Sequence, residues 1–210
     1  KSGLIDKPHV SQYRLVAHLG LATLIYGYML WVIFDLLFPT KLVLKDAGYM
    51  AHLSSLLVLL IFLMILSGGL VAGTDAGYAF NTWPLMGSHL IPSGVYPTEP
   101  WWLAVFEDIL TIQFNHRMFA YFLLGYVGLV SWGILRNPYW AKIHSRVWVL
   151  LCVATLQVIL GISTLVLHVP VILGVSHQAT AILLLSAAIF LAHGFREDGL
   201  PSPSWKADAS

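Results

Sequence analysis

Charge is scarce in this chain. Of its 210 residues only 10% are Asp, Glu, Lys or Arg, against about 25% in an average soluble domain. The formal net charge is +1, so there is no basic footprint for nucleic acid. Cysteine is nearly absent: Cys152 stands alone inside an apolar stretch. That excludes an internal disulfide and leaves no basis for a thiolate metal cluster. No signal-peptide or transit-peptide pattern is visible. The first residue is Lys1 rather than Met, and an upstream segment is expected to be missing. What is abundant is apolar: 58% of residues are hydrophobic, and the mean hydropathy is +0.79. These values place the chain among polytopic membrane proteins, with an all-α fold.

Five apolar stretches are long enough for a bilayer core, which takes roughly 20 residues. They cover 12–38, 49–73, 112–135, 147–169 and 171–194. The second holds no Asp, Glu, Lys or Arg. Lys41 and Lys45 fall in the turn at 39–48, and Arg136, Lys142 and Arg146 in the turn at 136–146. Arg196 and Lys206 lie in the tail. The long loop at 74–111 has neither Lys nor Arg. The positive-inside rule therefore predicts that this loop and the N-terminus face out and the C-terminus faces in, on the cytoplasmic or matrix side.

The outer loop carries Pro84, Pro92, Pro97 and Pro100 together with Trp83, Trp101 and Trp102. Tryptophan favours the headgroup region, where its ring meets lipid and its N–H meets water. The loop reads as an ordered lid, with a short interfacial helix over 101–110. The segment after Glu197, with Pro201 and Pro203, reads as a polar tail.

His18, His116 and His177 each fall in the first two turns of a span running from outside to inside. At 1.5 Å per residue all three lie less than about 10 Å below their helix starts. A polar side chain in the apolar zone is costly without a partner and so tends to mark function. Imidazole is the usual axial ligand where a protein holds haem iron. His116 and His177 therefore predict a bis-histidine haem clamped across a bundle of the last four spans, with spans three and five diagonal. The plainer alternative is a hydrogen bond between helices, worth roughly 0.6–2 kcal/mol.

His52 and His193 are expected at the inner ends, against headgroups or water, with His144 in an inner turn and His89 in the outer loop. His168 closes span four before Pro170 and ranks as a weaker ligand candidate or a propionate partner. Arg117, about 100° round the helix from His116, points either at a haem propionate or out to headgroups. Arg14, four residues before His18, has the same two readings. Gln113 and Asn115 either orient ligands or cap a helix start. Gly68, Gly69, Gly125, Gly128, Gly161 and Ser163 allow close helix packing or leave room for a flat macrocycle.

Several stretches, in order along nearly the whole chain, resemble the haem A synthase family of proteobacterial and mitochondrial type. They are Val10-Ser11-Gln12-Tyr13-Arg14-Leu15 leading to His18-Leu19-Gly20; Gly68 to Gly77 with Asn81-Thr82-Trp83-Pro84-Leu85-Met86-Gly87; Gln113-Phe114-Asn115-His116-Arg117; Gly161-Ile162-Ser163-Thr164-Leu165; and Ser176-His177-Gln178. The resemblance implies two pseudo-symmetric four-helix bundles, eight spans in all, with a histidine pair near the outer face of each. It makes residues 1–47 the last helix of an incomplete first bundle, 48–196 the second bundle with its lid at 74–111, and 197–210 a tail. His116 and His177 then match the ligands of a resident haem b, with Arg117 nearby. His18 matches one ligand of the substrate-site haem, whose partner and the catalytic residues lie upstream.

The implied reaction is conversion of haem O to haem A by oxidising a ring methyl to a formyl. The chain alone is expected to be inactive. Implied partners are haem O, an electron-transfer protein, haem O synthase, cytochrome oxidase assembly factors and the lipid bilayer of a bacterial or mitochondrial inner membrane. Two competing readings are a membrane cytochrome b that only passes electrons, and a bundle whose histidines merely hydrogen-bond.

Overall fold

The computed structural model describes residues 11–38 and 48–195. The turn expected at 39–48 lies almost wholly outside these, as does the polar tail. Six helices carry the fold: α1 (Gln12–Leu37), α2 (Gly48–Gly73), α3 (Trp101–Glu107), α4 (Ile109–Leu135), α5 (His144–Val166) and α6 (Val171–His193). No β-strand occurs among the described residues. All but α3 are long and apolar enough to cross a membrane, and the chain is a multi-pass membrane protein.

Local chemistry sets the helix limits. Helix α4 begins at Ile109, three residues before the apolar run suggests, because Asp108 caps it. The Asp108 carboxylate accepts from the Thr111 N–H at 2.7 Å and the Thr111 hydroxyl at 2.6 Å. Helix α5 also starts early, at His144, whose Nε2 lies 3.2 Å from the Ile134 carbonyl oxygen. It stops at Val166, since His168 and Val169 take left-handed backbone conformations with φ of 62° and 56°. His168 is therefore exposed in the turn before Pro170 and does not belong to the helix.

Helices α2, α4, α5 and α6 form an antiparallel bundle. Helix α2 packs on α4 and α6, and α5 packs on α4 and α6, which leaves α4 diagonal to α6. Helix α1 lies outside the square, against α2 and α6. It is tied there at three levels. Tyr13 and Gln12 both hydrogen-bond Glu107, Tyr26 Oη meets Ser186 Oγ at 2.8 Å, and His193 Nε2 meets Asp35 Oδ1 at 3.0 Å. Only Gly20 and Thr23 of its residues are buried, so much of α1 faces outward.

The packing is graded along the bundle axis. At the end away from the long loop, Leu57, Ile61, Val130, Ile134, Val147, Leu150, Ala188 and Leu191 are fully enclosed. At the loop end the inward-facing Met64, Ser67, Gly68, His116, Gln157, Gly161, Gly174 and His177 remain only half-buried. The close-packed half holds the four helices together by aliphatic contact and dispersion. The loop half contains His116, Gln157 and His177, and the far end has its own buried polar groups, Ser54, Ser131, Arg146 and His193.

Candidate haem site

His116 is the eighth residue of α4, and His177 and His18 are the seventh of α6 and α1. At 1.5 Å per residue the three lie about 9–10.5 Å below their helix starts. The matched depth thus survives the shift in where α4 begins. Helices α4 and α6 are diagonal, so His116 and His177 stand on opposite helices of the bundle, His116 against α2 and His177 against α5. His18 does not join them. It is exposed on α1, as is Arg14 one turn nearer the helix start.

Each imidazole is seated by a neighbouring helix. Ser67 Oγ on α2 lies 3.1 Å from His116 Nδ1. That contact fixes the ring and leaves Nε2 without a hydrogen-bond partner among the described residues. Beside it, a Cβ on Gly68 would meet His116 Cε1 at 3.4 Å, an ordinary contact. The other ring is held more tightly: a Cβ on Gly161 of α5 would come within 2.8 Å of His177 Cε1. One turn earlier on the same face, Gln157 Nε2 lies 3.5 Å from His177 Nε2. His177 Nδ1 and Gln157 Oε1 are both buried without a partner. Two different roles thus emerge for the small residues. Gly68 and Gly161 make room for the rings, whereas Gly69 lets α1 approach, its Cβ position being 3.1 Å from Val16 and Leu19 side chains.

Arg117 does not reach out to headgroups. It is 7% exposed, and Nη2 donates to the Pro84 carbonyl at 2.9 Å and the Leu85 carbonyl at 3.3 Å. Its Nε and Nη1 are buried with no acceptor. Gln113, expected to orient a ligand or cap a helix, does neither. It is buried and pins the long loop, accepting from Phe80 N–H at 3.1 Å and donating to the carbonyls of Phe80 and Gly77. Asn115 accepts from the Tyr96 hydroxyl at 2.6 Å. Asn81 donates to the Leu165 carbonyl at 2.9 Å, fastening the loop to α5. Helix α3 occupies the first seven residues of the stretch expected as an interfacial helix, with Trp101 and Trp102 exposed.

The far end corrects two expectations. His193 does not meet headgroups or water: it is fully buried, paired with Asp35 and packed edge-on against Trp31. Arg146 belongs to α5 rather than to a turn, and its guanidinium lies 4.0 Å from the Phe190 ring centre. His52 is exposed at the start of α2, its Nδ1 2.6 Å from the Gly48 carbonyl oxygen. Gln157 is a site residue that sequence reasoning passed over. A lone amide in an apolar span, four residues before a glycine on the same helix face, was the available signal.

These residues fit a bis-histidine haem. Two imidazoles at one depth can supply two axial nitrogens. Two orphaned guanidinium nitrogens of Arg117 at the loop end suit an anionic edge. The serine beside His116 is the kind of outer partner that orients a ligating histidine.

The profile of the COX15-CtaA family, described as cytochrome oxidase assembly protein, matches residues 1–189. A protein of Nitrosospira multiformis named "Heme A synthase" is 44% identical over 93% of this chain and 56% of its own length. Proteins of the same name from Nitrosomonas eutropha and Parvibaculum lavamentivorans are 42% and 43% identical over 90% and 91% of this chain, and 54% of their own lengths. The chain therefore spans about half the length of the curated relatives it matches. No solved structure matches it. With a family profile matched over 1–189 and relatives above 40% identity across nine-tenths of its length, the chain belongs to the COX15-CtaA family of cytochrome oxidase assembly proteins.

Proposed function

We propose that this chain holds the haem b of a haem A synthase, the membrane oxidoreductase that converts haem O to haem A by oxidising a ring methyl to a formyl. The observation that carries the reading is the placement of His116 and His177 on diagonal helices at one depth, with a glycine beside each ring. Residues 48–196 form the haem-holding bundle, 74–111 its lid, and 1–47 contribute one helix to a second bundle. The exposed face of α1, which carries His18 with Leu21, Ile25 and Leu36, supports that assignment. His18 is one ligand of the reacting haem, and the catalytic residues lie outside this chain.

In this reading His116 and His177 hold the iron through one nitrogen each, and Ser67 keeps His116 in the tautomer that leaves Nε2 unprotonated. Arg117 pairs with a propionate through Nε and Nη1 while Nη2 keeps the loop closed. Gln113 and Asn81 hold that loop over the site and limit water entry. A bis-histidine haem has no open coordination position and supplies one-electron transfer when bound. The protein sits in a bacterial or mitochondrial inner membrane with its C-terminus on the cytoplasmic or matrix side.

The test is spectral and chemical together. Full-length protein should show a six-coordinate low-spin haem spectrum, and His116→Ala or His177→Ala should abolish it. Deletion of the full gene should remove haem A from the membranes. An unchanged spectrum in both variants would sink the ligand assignment. Haem A persisting after the deletion would leave only the cytochrome b reading.

A further inference from the structure

We propose that the open cavity bounded by α1, α2, α3 and α4 binds the carbonyl-bearing ring of a membrane quinone, seated on Ser67 and Asn115. The cavity measures about 400 Å³. Its walls are apolar, with Leu63, Leu66 and Leu70 of α2 facing Val16 of α1 and Phe106 of α3. No Lys or Arg lines it, so a charged ligand would enter without compensation. Leu63 is exposed on the outer surface of the apolar helix α2, which gives access from the lipid phase.

The polar groups left over in this cavity are donors. Ser67 Oγ meets His116 Nδ1, and when Nδ1 carries the proton the serine accepts it. The Ser67 hydroxyl proton then has no acceptor among the described residues. Asn115 Oδ1 already accepts from Tyr96, which leaves the Nδ2 protons unused. The Tyr13 hydroxyl is spent on Glu107. An occupant must therefore be lipid-soluble, bring acceptor oxygens and otherwise present hydrocarbon. A benzoquinone or naphthoquinone ring, with carbonyl oxygens and an apolar tail, meets each condition. A bare isoprenoid chain would leave both donors unpaired, at a cost in affinity.

The position adds a consequence that rests on the haem reading above. Ser67 touches both the cavity and His116, so a carbonyl accepting from Ser67 alters the hydrogen bond on the iron ligand. Occupancy should therefore appear in the haem spectrum.

The experiment uses detergent-purified, haem-containing full-length protein and decylubiquinone as the probe. Bound quinone is measured after equilibrium dialysis, and the haem α-band is recorded in parallel. Saturable binding near one per protein is expected, weakened about tenfold by Ser67→Ala and by Asn115→Leu. Filling the cavity by Ala17→Trp, or independently by Leu70→Phe, should abolish binding while helical content and monodispersity are retained. The α-band should shift on saturation in the unsubstituted protein and not in Ser67→Ala. Binding that is indifferent to all four substitutions overturns the proposal. So does displacement of the quinone by farnesol at equal concentration, which would make the cavity an isoprenoid groove. If His116→Ala keeps an unaltered haem spectrum while Ser67→Ala still weakens quinone binding, the haem assignment falls and the cavity assignment stands.

Discussion

His193 Nε2 lies 3.0 Å from Asp35 Oδ1, joining the last residue of α6 to α1 at the end of the bundle away from the long loop. His193 is fully buried while the Asp35 side chain is 46% exposed, so the pair anchors a buried imidazole of α6 to the rim of α1. Asp35→Ala should lower resistance to unfolding by about 1 kcal/mol, the scale of an interhelical polar contact in a membrane protein. Tyr26→Phe, which breaks the contact with Ser186 higher on the same interface, should add to it independently. Unfolding in mixed micelles measures both, and equal stability of the double variant and the parent would contradict the idea that these pairs dock α1.

The two ring-seating glycines should respond differently to one added methyl. Gly161→Ala places a Cβ within 2.8 Å of His177 Cε1, with α5 backbone behind it, so the ring must shift. Haem retention in the full-length protein should fall by 10- to 100-fold, the usual order for disturbing a ligand's support. Gly68→Ala meets His116 at 3.4 Å and should retain haem within about threefold, well short of that outer-partner range. Haem-to-protein ratios after dialysis against a haem scavenger separate the two.

Gln113 ties the long loop to α4 through three hydrogen bonds made from a buried position. Gln113→Leu fills similar volume but satisfies none of them. Local opening of the loop should become easier by about 1–3 kcal/mol. Hydrogen exchange should rise around the Phe80 amide, while exchange in the α4–α5 turn stays unchanged.

Arg117→Lys preserves charge yet loses the planar fork that serves the Pro84 and Leu85 carbonyls and still leaves two nitrogens for an anion. Haem affinity should drop about tenfold. Arg117→Leu should drop it further and also loosen the loop, detectable as proteolytic cleavage near Pro84. A variant pair with parental haem affinity would place the propionates elsewhere.

Much of the fold is legible in the sequence. Hydropathy located all five spans, and helix direction put His18, His116 and His177 at one depth. Those readings rest on local periodicity and on the high cost of polar groups in lipid, both of which sequence reports directly. The boundaries of α4 and α5 were off by three residues because caps and left-handed turns decide them. Asp108 and His168 act through backbone geometry that hydropathy does not register. The partners of Gln113, Arg117 and His193 were hidden for another reason. Each meets residues dozens of positions away, and only the folded chain brings Phe80, Pro84 or Asp35 to them. His193 reads as a headgroup contact because a polar residue at a span end resembles one until an aromatic neighbour is seen to cover it, and Arg146 reads as a turn residue because α5 starts three residues before its apolar run.

The graded packing separates durability from chemistry. The fully enclosed Val130 and Ile134 of α4 and Leu191 of α6 lie 14 or more residues from the imidazole on their own helix, so changes around His116 and His177 leave these contacts untouched. Substitutions at the loop end can then be explored with little risk to assembly. The loop end can vary while the aliphatic end keeps the four helices in register.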